Sequence, residues 1–283
     1  LRGMKRLSGD FAYDAVLQRS KAGDLSLAVS TDMQGLALDF PPPLGKPAGQ
    51  ALPLRASWKR QAAGGDMGLS LTLGGDVEAL FLHRERGKSS SYFHAGFVGL
   101  RQEIQMPMQG LALDLRYPAV DLDAWHRVAQ DFSTELAPAS APARDQSRGR
   151  PLLPDVTQVR LQSGQARVQG LTLDELNFTA RQPEAQQWRV DVSSKQTAGT
   201  LYWKEAQGRI AGRVDARFDR LSLGADDAED ESGDDDGDSF QVDDEFDIPA
   251  IDLRVNELRL YGRHVGALSL VGVNQSRGRL WRL

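Results

Sequence analysis

The stretch Gly35-Leu-Ala-Leu-Asp-Phe-Pro-Pro-Pro-Leu-Gly-Lys-Pro-Ala-Gly49 decides how the rest of the chain is read. In its first half Leu36, Leu38 and Phe40 alternate with small or polar residues, so their side chains point to one face of a strand. Pro41, Pro42, Pro43 and Pro47 donate no backbone hydrogen bond, so the second half must leave the ladder. The strand motif recurs. Gly110-Leu-Ala-Leu-Asp114 repeats it letter for letter, and Gly170-Leu-Thr-Leu-Asp174 repeats it with one change. A strand-and-turn unit used again and again predicts a repetitive all-β sheet.

Working outward from that stretch, the same alternation fills residues 1–136. Phe11, Tyr13, Ala15 and Leu17 face Leu25, Leu27 and Val29 across a polar turn containing Gly23, a hairpin pattern with a helix over 10–18 as its competitor. Leu52, Leu54, Ala56 and Trp58 follow, then a Gly64-Gly65 turn, then Leu69, Leu71 and Leu73 with Gly74-Gly75 after them. Val77 to His83 and Tyr92 to Leu100 read as further strands, and Leu111, Leu113, Leu115 and Tyr117 carry the second copy of the motif. Turn signals at this spacing are those of an antiparallel all-β architecture. The period changes at Ala119–Leu136, where Trp125, Val128, Phe132 and Leu136 recur at helical steps behind Asp121 and Asp123, which are placed to cap a short amphipathic helix.

Residues 137–151, rich in Ala, Pro, Ser and Arg, read as a linker between two modules. The second module, 152–224, restarts the alternation through Leu171 and Leu173, Phe178, Trp188 and Val190, Trp203, Val214 and Phe218. Residues 248–283 begin a further repeat: Leu153-Pro154 can be laid on Ile248-Pro249, Gly170 on Gly262 and Trp188 on Trp281. Between them, 226–247 holds thirteen acidic residues and no basic one, so the net charge of −5 hides a remainder with 34 basic against 26 acidic residues.

The chain of 283 residues has no cysteine, which excludes disulfides, thiolate metal sites and a cysteine nucleophile. It starts at Leu1 and shows neither a signal peptide nor a long apolar run, so it reads as an excised segment whose membrane anchor lies outside it. No set of catalytic residues stands out, and the function must be sought in the surface the sheet makes. Strict alternation leaves one face apolar and the other wet. The apolar face needs a cover: a second sheet, a partner chain or a lipid. Read on the residues alone, a sandwich or barrel that covers itself is the readier solution.

A resemblance points elsewhere. The run Asp32–Leu54 resembles the corresponding stretch of YhdP-type proteins of the AsmA-like superfamily. Val120-Asp-Leu-Asp-Ala-Trp125 is similar to that family's element after a strand block, as are the restarts at Leu153-Pro154 and Ile248-Pro249. The resemblance implies a segment, held to the inner membrane by an anchor outside it, that reaches into the periplasm of a Gram-negative cell. It implies an all-β fold: an elongated, curved antiparallel sheet forming a groove, with one short amphipathic helix. The groove would move phospholipid between inner and outer membrane, with acyl chains sliding over Leu25, Leu27, Val29, Leu36, Leu38, Phe40, Leu52, Leu54, Trp58, Leu69, Leu71, Leu73, Leu111, Leu113, Leu115, Leu171, Leu173, Phe178, Trp188, Val190, Trp203, Val214 and Phe218. Lys46, Arg84 and Arg86 are the candidates to meet a phosphate headgroup, ordinary solvated charge being the plainer reading. The alternative is an assembly module that offers sheet edges to envelope proteins such as outer-membrane proteins. A carbohydrate-active enzyme would need two carboxylates facing each other across a cleft, and no such pair stands out.

Other clusters read plainly. Asp234, Asp236, Asp238 and Glu245 fall at positions 1, 3, 5 and 12 of an EF-hand count, but Ser239 stands where the loop needs glycine. The acidic run reads as a solvated, disordered insertion. His83, His94, His126 and His264 lack metal-ligand spacing. No cofactor, metal or nucleic-acid partner is expected.

Overall fold

The computed structural model describes residues 3–21, 23–61, 65–86, 90–136, 153–206, 212–224, 250–275 and 278–282. The expected linker and the acidic run, with its EF-hand count, lie outside these residues. The chain divides into two compact units, Leu1–Leu161 and Gln162–Leu283.

In the first unit the strands β2 (Asp14–Arg19), β3 (Leu25–Thr31), β5 (Leu54–Arg60), β6 (Met67–Leu73), β7 (Val77–Arg86), β8 (Ser90–Leu100) and β9 (Gly110–Asp121) hydrogen-bond side by side in that order. β10 (Val156–Val168) lies beside β9, and the division between the units falls within it. The second unit continues in the same manner from β10 through β11 (Leu171–Glu184), β12 (Gln187–Ser193), β13 (Thr197–Lys204), β14 (Arg213–Leu223), β15 (Ala250–Leu260) and β16 (Arg263–Gln275) to β17 (Gly278–Arg282). Among the described residues neither unit's sheet closes on itself and neither carries a second large sheet on its apolar face. The self-covering sandwich or barrel is therefore not the solution this chain adopts.

Two features depart from the sequence reading. The Gly35–Phe40 stretch is not a strand of the large sheet. Its β4 (Leu36–Leu38) pairs only with β1 (Leu7–Gly9) in a small separate ribbon. The prolines explain this: after Pro41 the chain curls back, and Lys46 exchanges both backbone hydrogen bonds with Leu38, at 2.8 and 3.0 Å. Leu36, Leu38 and Phe40 thus stand outside the strand rows of the large sheet, and so does Leu52, which precedes β5. The second departure is strand direction. β8 runs parallel to β9 and β14 parallel to β15, so the sheet is mixed rather than purely antiparallel. Parallel neighbours need a crossover instead of a tight turn, which residues 101–109 supply between β8 and β9.

The recurring Gly-Leu-x-Leu-Asp motif has one local job in all its copies. Gly35, Gly110 and Gly170 all have positive φ, at 99°, 80° and 75°. Each lets the chain turn through a conformation costly to other residues just before a strand begins. After Gly170 the turn is a two-residue one, Gln169-Gly170 with both φ positive, matched by Tyr261-Gly262 between β15 and β16. That is the turn type whose twist suits a hairpin.

The helix α1 (Leu122–Leu136) starts three residues later than the start of the helical pattern, because β9 holds its ladder through Asp121. Asp121 then caps it: its Oδ1 accepts the Ala124 backbone N–H at 2.7 Å.

Candidate functional site

In the first unit, register places the alternating residues in continuous rows. One row runs Leu17, Leu27, Trp58, Leu69, Phe81, Gly96, Leu111 from β2 to β9. The next runs Ala15, Val29, Ala56, Leu71, Ala79, Val98, Leu113, and a third runs Leu54, Leu73, Val77, Leu100, Leu115 from β5 to β9. Cross-strand partners share a face, so these rows form one unbroken apolar surface. It is graded. Phe81, Ala79, Phe93 and Leu111 are buried among Trp58, Leu69, Leu71 and Val98, whereas toward β2 the cover thins, Leu27 being 40% and Leu17 69% exposed. At one border of the face Trp58, Phe81, His83 and Phe93 stack edge to face with ring centres 5.2–6.1 Å apart.

The reverse face reads Asp14, Ser30, Arg55, Thr72, Glu78 along one row and Val16, Ala28, Ser57, Ser70 along the next. It is wet over β2–β6 but not beyond. Phe97, on the reverse face of β8, is 1% exposed, and the residues 101–109 that return the chain to β9 begin against it, since a Cβ on Gly99 would meet both Phe97 and the Gln102 carbonyl.

The second unit repeats the arrangement. Trp188, Trp203, Val214 and Ile251 form one row, Ala180, Val190, Leu201, Ala216, Leu253 and Leu270 a second, and Phe178, Val192, Gly199, Phe218, Val255 and Leu268 a third. Leu171 and Leu173 are half-buried at the start of β11. On the reverse face Arg189 pairs with Asp191, Arg213 with Asp215 and Arg217 with Asp252, at 2.8–3.1 Å. Hydrogen bonds from Arg189 and Arg213 hold the Asp191 and Asp215 carboxyls below the usual range, and the same contacts raise the two guanidiniums. These pairs stand in solvent and stabilise little. Their effect is to keep that face charged and water-bound.

One end of the apolar face in the first unit is roofed. α1 and the proline loop lie beside the row Val77, Leu100, Leu115 and border a half-open cavity of about 390 Å³ walled almost wholly by hydrocarbon. Leu44 closes it from the loop, Val98, Leu100 and Leu115 from the sheet, Trp125 and Ala129 from the helix. The Trp125 indole N–H donates to the Pro42 carbonyl at 3.2 Å, and the Arg6 guanidinium donates to Asp131 at 2.6 Å, so helix, loop and N-terminal segment are tied together. The sequence stripe Trp125, Val128, Phe132, Leu136 marks the helix as amphipathic but does not separate Trp125 as a cavity wall.

The headgroup candidates fare differently. Lys46 is 5% exposed. Its ammonium is turned inward and donates to the carbonyls of Met33 at 2.8 Å, Gln50 at 2.9 Å and also Leu36. It is a structural staple that ties the proline loop to the Met33–Leu36 turn, not an open cation. Arg84 is exposed and shares Asp66 with His94, at 3.2 and 2.8 Å. Hydrogen bonds from Arg84 and His94 depress the Asp66 carboxyl. The side chain of Arg86 lies outside the described residues. No group of three or more potential metal ligands and no helix long and apolar enough to cross a membrane occurs among the described residues.

The YhdP protein family matches residues 2–283. The chain belongs to that family. No curated protein and no solved structure matches it. As a YhdP family member it is built on β-strands, with an open, mixed sheet in each unit and a single α-helix among the described residues.

Proposed function

We propose that this YhdP family segment is a non-enzymatic conduit for phospholipid. In this reading the apolar face of each unit holds acyl chains, and headgroups remain in water beyond its rim. The carrying observation is the set of unbroken apolar rows that no second sheet covers among the described residues. Each methylene kept from water is worth about 0.8 kcal/mol, so an acyl chain lying on those rows stabilises both itself and the face. Many equivalent contacts hold a chain without fixing it at one point, which suits movement. Membership of the YhdP family, which points to the AsmA-like lipid-transport superfamily, supports the same reading; in it the chain lies in the periplasm, between an inner-membrane anchor and the outer membrane.

The test is a photoreactive side chain at Leu27 or Leu253, on the apolar rows, against Ala28 or Arg254, one residue along and on the reverse face. Acyl-chain adducts confined to the first pair support the proposal. Protein adducts at Leu27, with no lipid, would favour the assembly reading, in which the outer edge of β2 accepts a foreign strand.

A further inference from the structure

We infer that the cavity beneath α1 takes the methyl-terminal end of one lipid acyl chain. The inference rests on the proposal that the apolar face holds lipid, and it adds where and in which sense a chain is held. A half-open space of about 390 Å³ lined by Leu44, Leu100, Leu115 and Trp125 presents hydrocarbon to whatever enters it. A cavity walled by hydrocarbon stays dry and accepts apolar guests. Any N–H, carbonyl, ester or phosphate entering it gives up water and finds no partner, which is unfavourable. That excludes a headgroup and disfavours a peptide, whose backbone cannot shed its polar groups. A hydrocarbon chain loses nothing and leaves water.

The floor supplies the direction. Val98 belongs both to the cavity wall and to the row Leu71, Ala79, Val98, Leu113. A chain longer than the cavity therefore continues onto the open rows without meeting water or a polar group, and its ester end lies away from α1. The roof is held in place by the Trp125–Pro42 hydrogen bond and the Arg6–Asp131 ion pair, so the space exists before a chain enters.

The experiment loads the chain from vesicles of phosphatidylethanolamine brominated either near the acyl terminus or near the ester, and reads tryptophan quenching. Trp125→Phe and Trp58→Phe variants assign the signal to each ring. The expected result is that terminal bromines quench Trp125 and ester-proximal bromines do not. Ala129→Phe, which fills the cavity from the exposed side of the helix, removes that quenching while Trp58 is still quenched. Should that variant misfold, Leu44→Phe fills it from the loop. Loaded protein in which Trp58 is quenched but Trp125 is not, or in which both bromine positions quench Trp125 equally, overturns the inference alone. Quenching of neither ring overturns the lipid proposal and the inference with it.

Discussion

Phe81 lies over the backbone of Gly96, its cross-strand partner: a Cβ built on Gly96 would stand 2.7 Å from Phe81 Cδ1 and 3.1 Å from Leu111 Cδ1. The second unit repeats the relationship, with Gly199 opposite Phe218 in the same way. A ring laid across a glycine restores the packing that the missing side chain forfeits and keeps an open face smooth. Gly96→Ala should therefore force Phe81 or Leu111 aside and cost about 1–3 kcal/mol, read as a lower urea midpoint at unchanged slope. Pairing it with Phe81→Leu should recover part of the loss. An alanine variant as stable as wild type would show that the ring yields freely.

Lys46 yields a prediction that separates structure from ligand. Its buried ammonium donates to the Met33, Leu36 and Gln50 carbonyls, and Lys46→Met removes those donors, the Met33 carbonyl keeping only the Leu36 N–H, a loss of about 1–3 kcal/mol. Lipid carried per folded molecule should not change. If the variant keeps its stability and loses lipid instead, the lysine is a headgroup ligand after all.

How much of this was legible beforehand follows from what alternation can encode. The rows through Leu27, Trp58 and Leu69 were readable because a strand repeats every second residue and one face is apolar. The fate of Leu36 and Leu38 was not, since local alternation cannot say which sheet a strand joins; the backbone exchange between Leu38 and Lys46 decides it. Strand direction was equally hidden: Val98 pairs with Leu113 in a parallel sense only because residues 101–109 carry the chain back to the far end. That return begins beside Phe97, a buried apolar residue on the side that alternation marks as wet. Trp125 was readable as a helix residue but not as a cavity wall, because its partners in the wall lie far away in sequence.

Acid should act, by a small amount, through Asp66 and the ion-paired carboxylates of the reverse face. The folded-state pKa values of Asp66, Asp191 and Asp215 are depressed by their arginine partners, with His94 assisting at Asp66. Their contribution is complete above the unfolded aspartate value of about 3.9 and is lost as pH falls through the lower folded values. Stability should be insensitive to these groups from neutral pH down to about 5 and should decline below about 4. Asp66→Asn combined with Asp215→Asn should flatten that acid limb in a pH series of urea midpoints. An unchanged limb would assign acid sensitivity to other groups.

The cap on α1 can be tested by itself. Asp121→Ala removes the acceptor for the Ala124 N–H and should cost about 1 kcal/mol. Hydrogen exchange should accelerate in the first turn of α1 and not in β5–β7. Uniform acceleration across the first unit would mean that the helix and the sheet open as one.

The register argues the last prediction. Ser70 and Leu71 are neighbours on β6, yet Ser70 pairs with Ser57 and Leu80 while Leu71 pairs with Ala56 and Ala79, so they stand on opposite faces. A carboxylate at Leu71 sits in the middle of the apolar rows, where a passing acyl chain would have to cross it without water to solvate the charge. At Ser70 the same carboxylate meets only the wet face. Leu71→Asp should abolish lipid transfer in the full-length protein, whereas Ser70→Asp should leave it intact, with circular dichroism reporting that both fold. Because Leu71 is only half-buried, the first substitution is tolerable to the fold, and the contrast reads the path of the lipid rather than the stability of the sheet. Equal transfer by the two variants would mean that the apolar rows serve packing alone.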